Sequence, residues 1–318
     1  VLRVFSLVLL LAATVSAEEV IRVDVQLVQV GFSVRDAEGA LRSDLTAEDF
    51  RVFEDGVEQE IRRFAPAESL PLRLGVLKDH SGSQDDFHKR HDEDLRLFLK
   101  TMLQPEDRAF LLAFGDRLRL LAPFHNDLDY LGDVIRLSRK NVYFPKVGPD
   151  VRRRGGTALF DAVYHSVRLQ YAEPESGRRA IVVLSDGADN SSGYTLLDAI
   201  EAAQEHDVRI FGIWYGSDRP SVRDQYGQRV LLRLAEGTGG ERFFAEGESL
   251  QEQFRMIGDY LRASYELGYY SSNDSADQAF RRVEIRADKP GLEVRAKPGY
   301  FAKTAEATAP PLRAPESP

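Results

Sequence analysis

The sequence predicts an α/β fold: a doubly wound, mostly parallel sheet with one antiparallel edge strand, flanked by a small β-sandwich-like unit. Three observations predict it. From residue 72 to residue 262, short apolar runs alternate with amphipathic stretches of helical period, which implies a parallel sheet covered on both faces. Two neighbouring runs, "RAFLLAF" and "RLRLLAPF", are joined by a Gly115-Asp116 turn and give the sheet one antiparallel edge. Outside that region the chain begins and ends in β-rich segments.

The elements follow in order. Residues 1–17 read as a secretory leader: Arg3 supplies positive charge, Val4 to Ala13 a short apolar core, and Val15-Ser16-Ala17 the small-residue cleavage pattern. The apolar run is short for a spanning helix. Residues 20–34, "VIRVDVQLVQVGFSV", alternate apolar and polar and predict a strand, with a bulge where the phase flips. Thr46 with Asp49 three residues on predicts a capped helical turn. "FRVFEDGVEQEIRRF" predicts a hairpin about a type I′ turn at Asp55-Gly56. These make a β unit over 18–66, and "APAESLP" is the linker.

The unit 67–262 opens with the buried strand "LRLGVL". A helix over 88–103 carries Leu95, Phe98, Leu99 and Met102 on one face. After the antiparallel pair come a helix at 127–139, a long loop, and a helix with Leu159, Ala162, Val163, Val167 and Tyr171 inward. "RRAIVVLSDG" is a fully buried strand, and Thr195 caps a helix with Leu197, Ile200 and Ala203 on one side. "VRIFGIWYG" is another buried strand, and helices follow near 229–237 and 248–262 with "ERFFA" between them. A second β unit spans 263–303, with "YELGYYS", "FRRVEIRA" and "LEVRAKPGYF", and is expected to pack with the first. Residues 304–318, rich in Ala and Pro, predict a disordered tail.

Composition narrows the function. The 318 residues hold 42 Lys plus Arg against 51 Asp plus Glu, which argues against a nucleic-acid partner. There is no cysteine; an exported chain without disulfides is held by its core or by metal. No second stretch is apolar enough to cross a membrane, and from the leader the expected location is secreted, periplasmic or cell-envelope.

In a doubly wound sheet, ligands bind beyond the carboxyl ends of the strands. Three stretches reach that rim: Asp79-His80-Ser81-Gly82-Ser83, Gly155-Gly156-Thr157 and Ser185-Asp186-Gly187. They offer two carboxylates and at least three hydroxyls, a hard oxygen-only set suited to Mg²⁺, Mn²⁺ or Ca²⁺. Few side-chain negative charges leave such an ion electrophilic, and its open position is available to another oxygen ligand.

These residues resemble the von Willebrand factor type A domain and its metal-ion-dependent adhesion site. That family carries D-x-S-x-S after its first strand, a threonine in a later loop, and an aspartate at the end of its fourth strand. The resemblance implies metal binding by Asp79, Ser81, Ser83, Thr157 and Asp186. It covers roughly 70–262, where "GGTALFDAV", "VVLSDGADN" and "LAEGTGGERFF" also fall in place, and the flanks are similar to secreted bacterial VWFA-related proteins. It further implies a protein-binding module that engages an acidic residue of its partner through the ion, without catalysis.

The sequence departs from the family pattern at Lys78, usually apolar, at His80, usually small, and at Gln84, where methionine or isoleucine is common. A buried ammonium needs a partner; Lys78 is expected to pair with a rim carboxylate, or else to stand in for the ion in a metal-independent scaffold. Asp85 and Asp86 favour the N-terminus of the next helix, Asp189 bonds the loop beside Asp186 without being a ligand, and Trp214 is core. Arg152, Arg153 and Arg154 make a solvated basic loop. His88 and His91, with His80, are read as surface residues rather than a zinc site. Asn190-Ser191-Ser192 matches a glycosylation acceptor by chance. A serine hydrolase built on Asp79, His80 and Ser81 is the competing reading, but His80 adjoins both and is badly placed to bridge them, and no G-x-S-x-G elbow is present.

Overall fold

A computed structural model describes residues 27–66, 70–140, 142–148, 156–172, 177–216, 221–245, 250–273, 275 and 277–302. The predicted leader, strand residues 20–26, Arg152 to Arg154 and the tail from 304 lie outside these residues.

The central sheet has six strands: β5 (Leu72–Asp79), β6 (Arg108–Phe114), β7 (Arg119–His125), β8 (Arg178–Ser185), β9 (Val208–Trp214) and β10 (Arg242–Phe244). Their order is β10-β9-β8-β5-β6-β7. All neighbours run parallel except β6 and β7, so the predicted antiparallel edge is present. "ERFFA" supplies the opposite edge as β10. The inner strands are apolar on both sides because helices cover both faces.

On one face lie α1 (His88–Met102), α2 (Leu128–Leu137) and α6 (Leu250–Arg262), where Leu95, Phe98, Phe254 and Ile257 join Leu74 and Val76 in one buried cluster. On the other lie α3 (Leu159–Gln170), α4 (Leu196–Glu205) and α5 (Val222–Thr238), packed on Leu77, Ile181 and Val183. Thr195 caps α4 through Asp198 N–H as expected. The buried face of α4 is Ala199, Ala202 and Ala203, whereas Leu197 is 59% exposed. The cap fixed the helix start, but small residues let α4 lie close to α3 and α5, and the leucine turned outward.

The flanking segments form a sandwich with its own core. One sheet is ordered β13-β1-β11-β4 and the other β14-β12-β2-β3, with β1 (Leu27–Arg35), β2 (Phe50–Glu54), β3 (Val57–Gln59), β4 (Ile61–Pro66), β11 (Ser264–Tyr270), β12 (Phe280–Ala287), β13 (Glu293–Ala296) and β14 (Gly299–Phe301). Phe32, Phe50, Tyr265 and Leu267 are buried between the sheets. Asp55 and Gly56 take the positive φ values of a type I′ turn, 48° and 85°. The second arm of that hairpin divides: β3 stays with β2, while β4 pairs with β11 in the opposite sheet. "LEVRAKPGYF" likewise divides into β13 and β14. The register of β1 on β11 is unbroken from Leu27 to Ser33, so the expected bulge is absent there.

The sandwich meets the amino ends of the central strands. Asp207, just before β9, accepts from Gly31 N–H at 3.4 Å and pairs with Lys297 at 2.9 Å, and Arg209 donates to Ser264. The carboxyl ends therefore face away from it.

Candidate metal centre

Strands β5 and β8 are neighbours, with Lys78 opposite Leu184. This is the point where strand order reverses, and the crevice of a doubly wound sheet opens there. Asp79 ends β5 and is fully buried, and Ser185 ends β8, also fully buried. Asp79 accepts from the Ser81 N–H through Oδ1 at 2.8 Å and from the Ser185 hydroxyl through Oδ2 at 2.5 Å. The first contact folds the chain back over the strand end, so that Ser81 and Ser83 return toward Asp186. Ser83 donates to Asp186 Oδ2 at 2.7 Å, and the Ser81 and Ser83 hydroxyls lie 3.1 Å apart.

Asp186 is held from behind, since its Oδ1 accepts from the Ala188 N–H at 2.9 Å. Gly187 takes φ +77°, and a Cβ there would lie 2.2 Å from the Gly227 carbonyl oxygen. The loop after Asp186 thus sits directly on α5, which no other residue at 187 would permit without displacement.

Thr157 joins by its backbone. Its carbonyl accepts from the N–H groups of Asn190 and Ser191, at 3.0 and 3.1 Å, and its N–H donates to Asn190 Oδ1 at 2.9 Å. The next residue, Ala158, donates its N–H to the Gly115 carbonyl, and Gly115 packs on the His80 backbone. Asp79, Ser81, Ser83 and Asp186 therefore share one hydrogen-bonded cluster, and Thr157 is tied to the loops on either side of it. Ser81, Thr157 and Asp186 are buried, whereas Ser83 is exposed; the cluster reaches solvent at Ser83.

Burial raises the Asp79 carboxyl to about 7; Ser185 and Ser81 pull it down, and the nearby Asp186 pushes it further up. A carboxyl in this state is short of positive charge. Lys78 does not supply it. It is 1% exposed and forms a buried ion pair with Asp92 on α1, which Arg139 approaches at 3.4 Å. The expected pairing with a rim carboxylate is thus replaced by one with a helix carboxylate, because residue 78 points to the opposite face of the strand from residue 79. Burial pulls the Lys78 ammonium down, and Asp92 works against it.

Other sequence-based expectations sort themselves. Asp189 binds its own loop and the start of α3, accepting from the Ser192 N–H and hydroxyl and from the Phe160 N–H. Asp85 and Asp86 lie in a 3₁₀ turn before α1. Trp214 is buried. His91 is fully buried with its ring 4.1 Å from that of Tyr215, so it is a core residue and not a surface one. Among the described residues no three of His, Cys, Asp and Glu gather as a metal site; a cation here depends on hydroxyls. Sequence reasoning placed Ser185 at the rim without giving it a role, and saw Asn190 only as part of a glycosylation match. Ser185 had a readable signal, since a hydroxyl at the end of a central strand beside Asp79 has no apolar role.

Asp79 closes the first strand of the central sheet, Thr157 precedes α3, and Asp186 follows the fourth strand of that sheet. No family model matches the chain, and no curated protein does. Among solved structures, the chain is similar to the conserved hypothetical protein BatB from Bacteroides thetaiotaomicron, at 16% identity and TM-score 0.46, covering 60% of this chain and 98% of that one. It is similar to a von Willebrand factor type A protein from Catenulispora acidiphila, at 13% identity and TM-score 0.48, covering 89% and 75%. It is also similar to proximal thread matrix protein 1 of the mussel byssus, in a structure with a zinc-occupied MIDAS motif, at 13% identity and TM-score 0.49, covering 66% and 50%.

Proposed function

We propose that the protein is an exported, non-enzymatic binding module that engages a carboxylate of a partner protein through a divalent cation. Asp79, Ser81, Ser83, Thr157 and Asp186 hold the cation, Mg²⁺ first and Mn²⁺ or Ca²⁺ as alternatives. The observation that carries this reading is the Asp79 carboxyl: fully buried, beside a second carboxylate, and in one hydrogen-bonded cluster with the Ser81, Ser83 and Ser185 hydroxyls. Two carboxylates and three neutral oxygens suit a hard cation; their charge no more than balances that of a divalent ion, which can still take an anionic oxygen at an open position.

The location of the cluster fits the same reading. It opens at the carboxyl ends of the strands, away from the sandwich, so the sandwich does not stand between it and a partner. The leader expected at 1–17 makes the protein an exported one, and no described helix is long and apolar enough to cross a membrane.

The hydrolase reading fares worse on geometry. Both Asp79 oxygens are engaged by Ser81 N–H and Ser185, and the Ser81 hydroxyl faces Ser83 rather than a base. The scaffold reading loses its substitute charge, because Lys78 is committed to Asp92.

Titration calorimetry with Mg²⁺ and Mn²⁺, with capture of partners from the native envelope fraction with and without chelator, tests the proposal. Expected are one bound ion, loss of binding in folded Asp79→Ala, and loss of captured partners in EDTA. Partner capture that is undiminished by EDTA sinks the metal mechanism.

A further inference from the structure

The loop after Asp186 does more than present that carboxylate. Four residues further on, Asn190 and Ser191 grip Thr157 from both sides of its peptide. The Thr157 N–H donates to Asn190 Oδ1 at 2.9 Å, and the Thr157 carbonyl accepts from the N–H groups of Asn190 and Ser191. The Ser191 hydroxyl donates to the same Asn190 oxygen at 2.9 Å and fixes its orientation. The approach is close: a Cβ on Gly156 would lie 1.6 Å from Ser191 Oγ and 2.7 Å from Asn190 Oδ1, so only glycine fits before Thr157. Asp161 and Asp189 secure the outer part of the loop to α3, through the N–H groups of Gly193 and Tyr194 and of Phe160.

We infer that Asn190 is a positioning residue of the metal centre, whose carboxamide oxygen sets Thr157 relative to Asp186. The inference rests on the cation reading above. Asn190 itself is exposed, so its side chain is not there to fill a core. A carboxamide accepts the Thr157 N–H without adding a third negative charge beside Asp79 and Asp186. The two loops that deliver Thr157 and Asp186 come from distant parts of the chain, and this contact makes them one rigid unit. Groups that orient metal ligands through a hydrogen bond typically contribute about 10- to 100-fold in metal affinity. The Asn190-Ser191-Ser192 stretch thus has a structural use: its asparagine oxygen accepts from the Thr157 N–H.

The test is a double-mutant cycle on Mn²⁺ affinity, read by calorimetry, with circular dichroism to confirm folding. Asn190→Ala is expected to weaken Mn²⁺ binding about tenfold. Asn190→Asp keeps the accepting oxygen and is expected to bind at least as tightly as the native protein. In a Thr157→Ala background, Asn190→Ala is expected to have no further effect, because its action passes through Thr157. A folded Asn190→Ala variant within twofold of native overturns the inference, as does an undiminished tenfold loss in the Thr157→Ala background. If Asn190→Ala does not fold, Asn190→Asp decides: a tenfold loss in that folded variant also overturns it. Failure of the native protein to bind Mn²⁺ is a different result and removes the cation reading itself.

Discussion

Burial holds the Asp79 carboxyl at about 7, against 3.8 for an ordinary aspartate. Between those values the folded chain carries a proton that the unfolded chain has lost. The contribution of this group to the stability of the metal-free protein is therefore greatest below the lower value and falls as pH rises through the window. The contribution is on the order of 4 kcal/mol by pH 8. A bound cation replaces the proton and reverses the penalty, by an amount set by its concentration relative to Kd. Urea midpoints in EDTA should decline from pH 4.5 to 8, and Asp79→Asn should flatten that decline while abolishing the stabilisation by Mg²⁺. Equal slopes for the two proteins would show that Asp79 is not the titrating group. On the proposed reading, the residue that would hold the cation is one that weakens the empty fold, a common arrangement at functional sites.

At the scale of elements, the link between β5 and α1 is ionic where an apolar contact would serve. Lys78 and Asp92 are both buried, at 1% and 3% side-chain exposure. Removing one charge of such a pair leaves the other without compensation, which costs about 3–5 kcal/mol, whereas replacing both with apolar groups is often neutral. Asp92→Asn strands the ammonium and should lower the urea stability by that amount. Lys78→Met is milder, because Asp92 keeps Arg139. Lys78→Met with Asp92→Leu should recover stability, and the Mg²⁺ affinity of this folded double variant should match native, since the pair lies on the α1 side of the strand. A large loss of affinity there would mean that the ion pair reaches the metal centre after all.

At the scale of the whole molecule, the chain's two flanks close one sandwich around residues that lie far apart in sequence. Phe32 of β1 sits 5.0 Å from Phe50 and 5.4 Å from Tyr265 between ring centroids, and the Tyr265 hydroxyl ties Leu45 N–H and the Arg42 carbonyl to β11. This core is separate from the two that flank the central sheet, and it lies at the opposite pole from Asp79 and Asp186. Phe32→Ala should remove about 3–5 kcal/mol of sandwich stability. Hydrogen exchange should rise in β1, β2, β11 and β12 and stay low in β5 and β8, with Mg²⁺ affinity within twofold of native. Loss of metal binding in that variant would show that the two units act as one.

The sequence by itself determined the alternation of strand and helix, the antiparallel edge, the hairpin turn at Asp55-Gly56, the Thr195 cap and the three oxygen-bearing stretches. These are local: each is written in periodicity, in turn chemistry, or in polar residues at the end of an apolar run. Tertiary structure alone decided what required two distant segments to meet. It split "GVEQEIRRF" and "LEVRAKPGYF" between two sheets, turned Leu197 outward, buried His91, sent Lys78 to Asp92, and brought Ser185 to Asp79 and Asn190 to Thr157. A strand's alternation says which residues share a face but not what will stand opposite that face. That second fact comes from the order in which β5 and β8 lie side by side, and no pattern within either strand contains it.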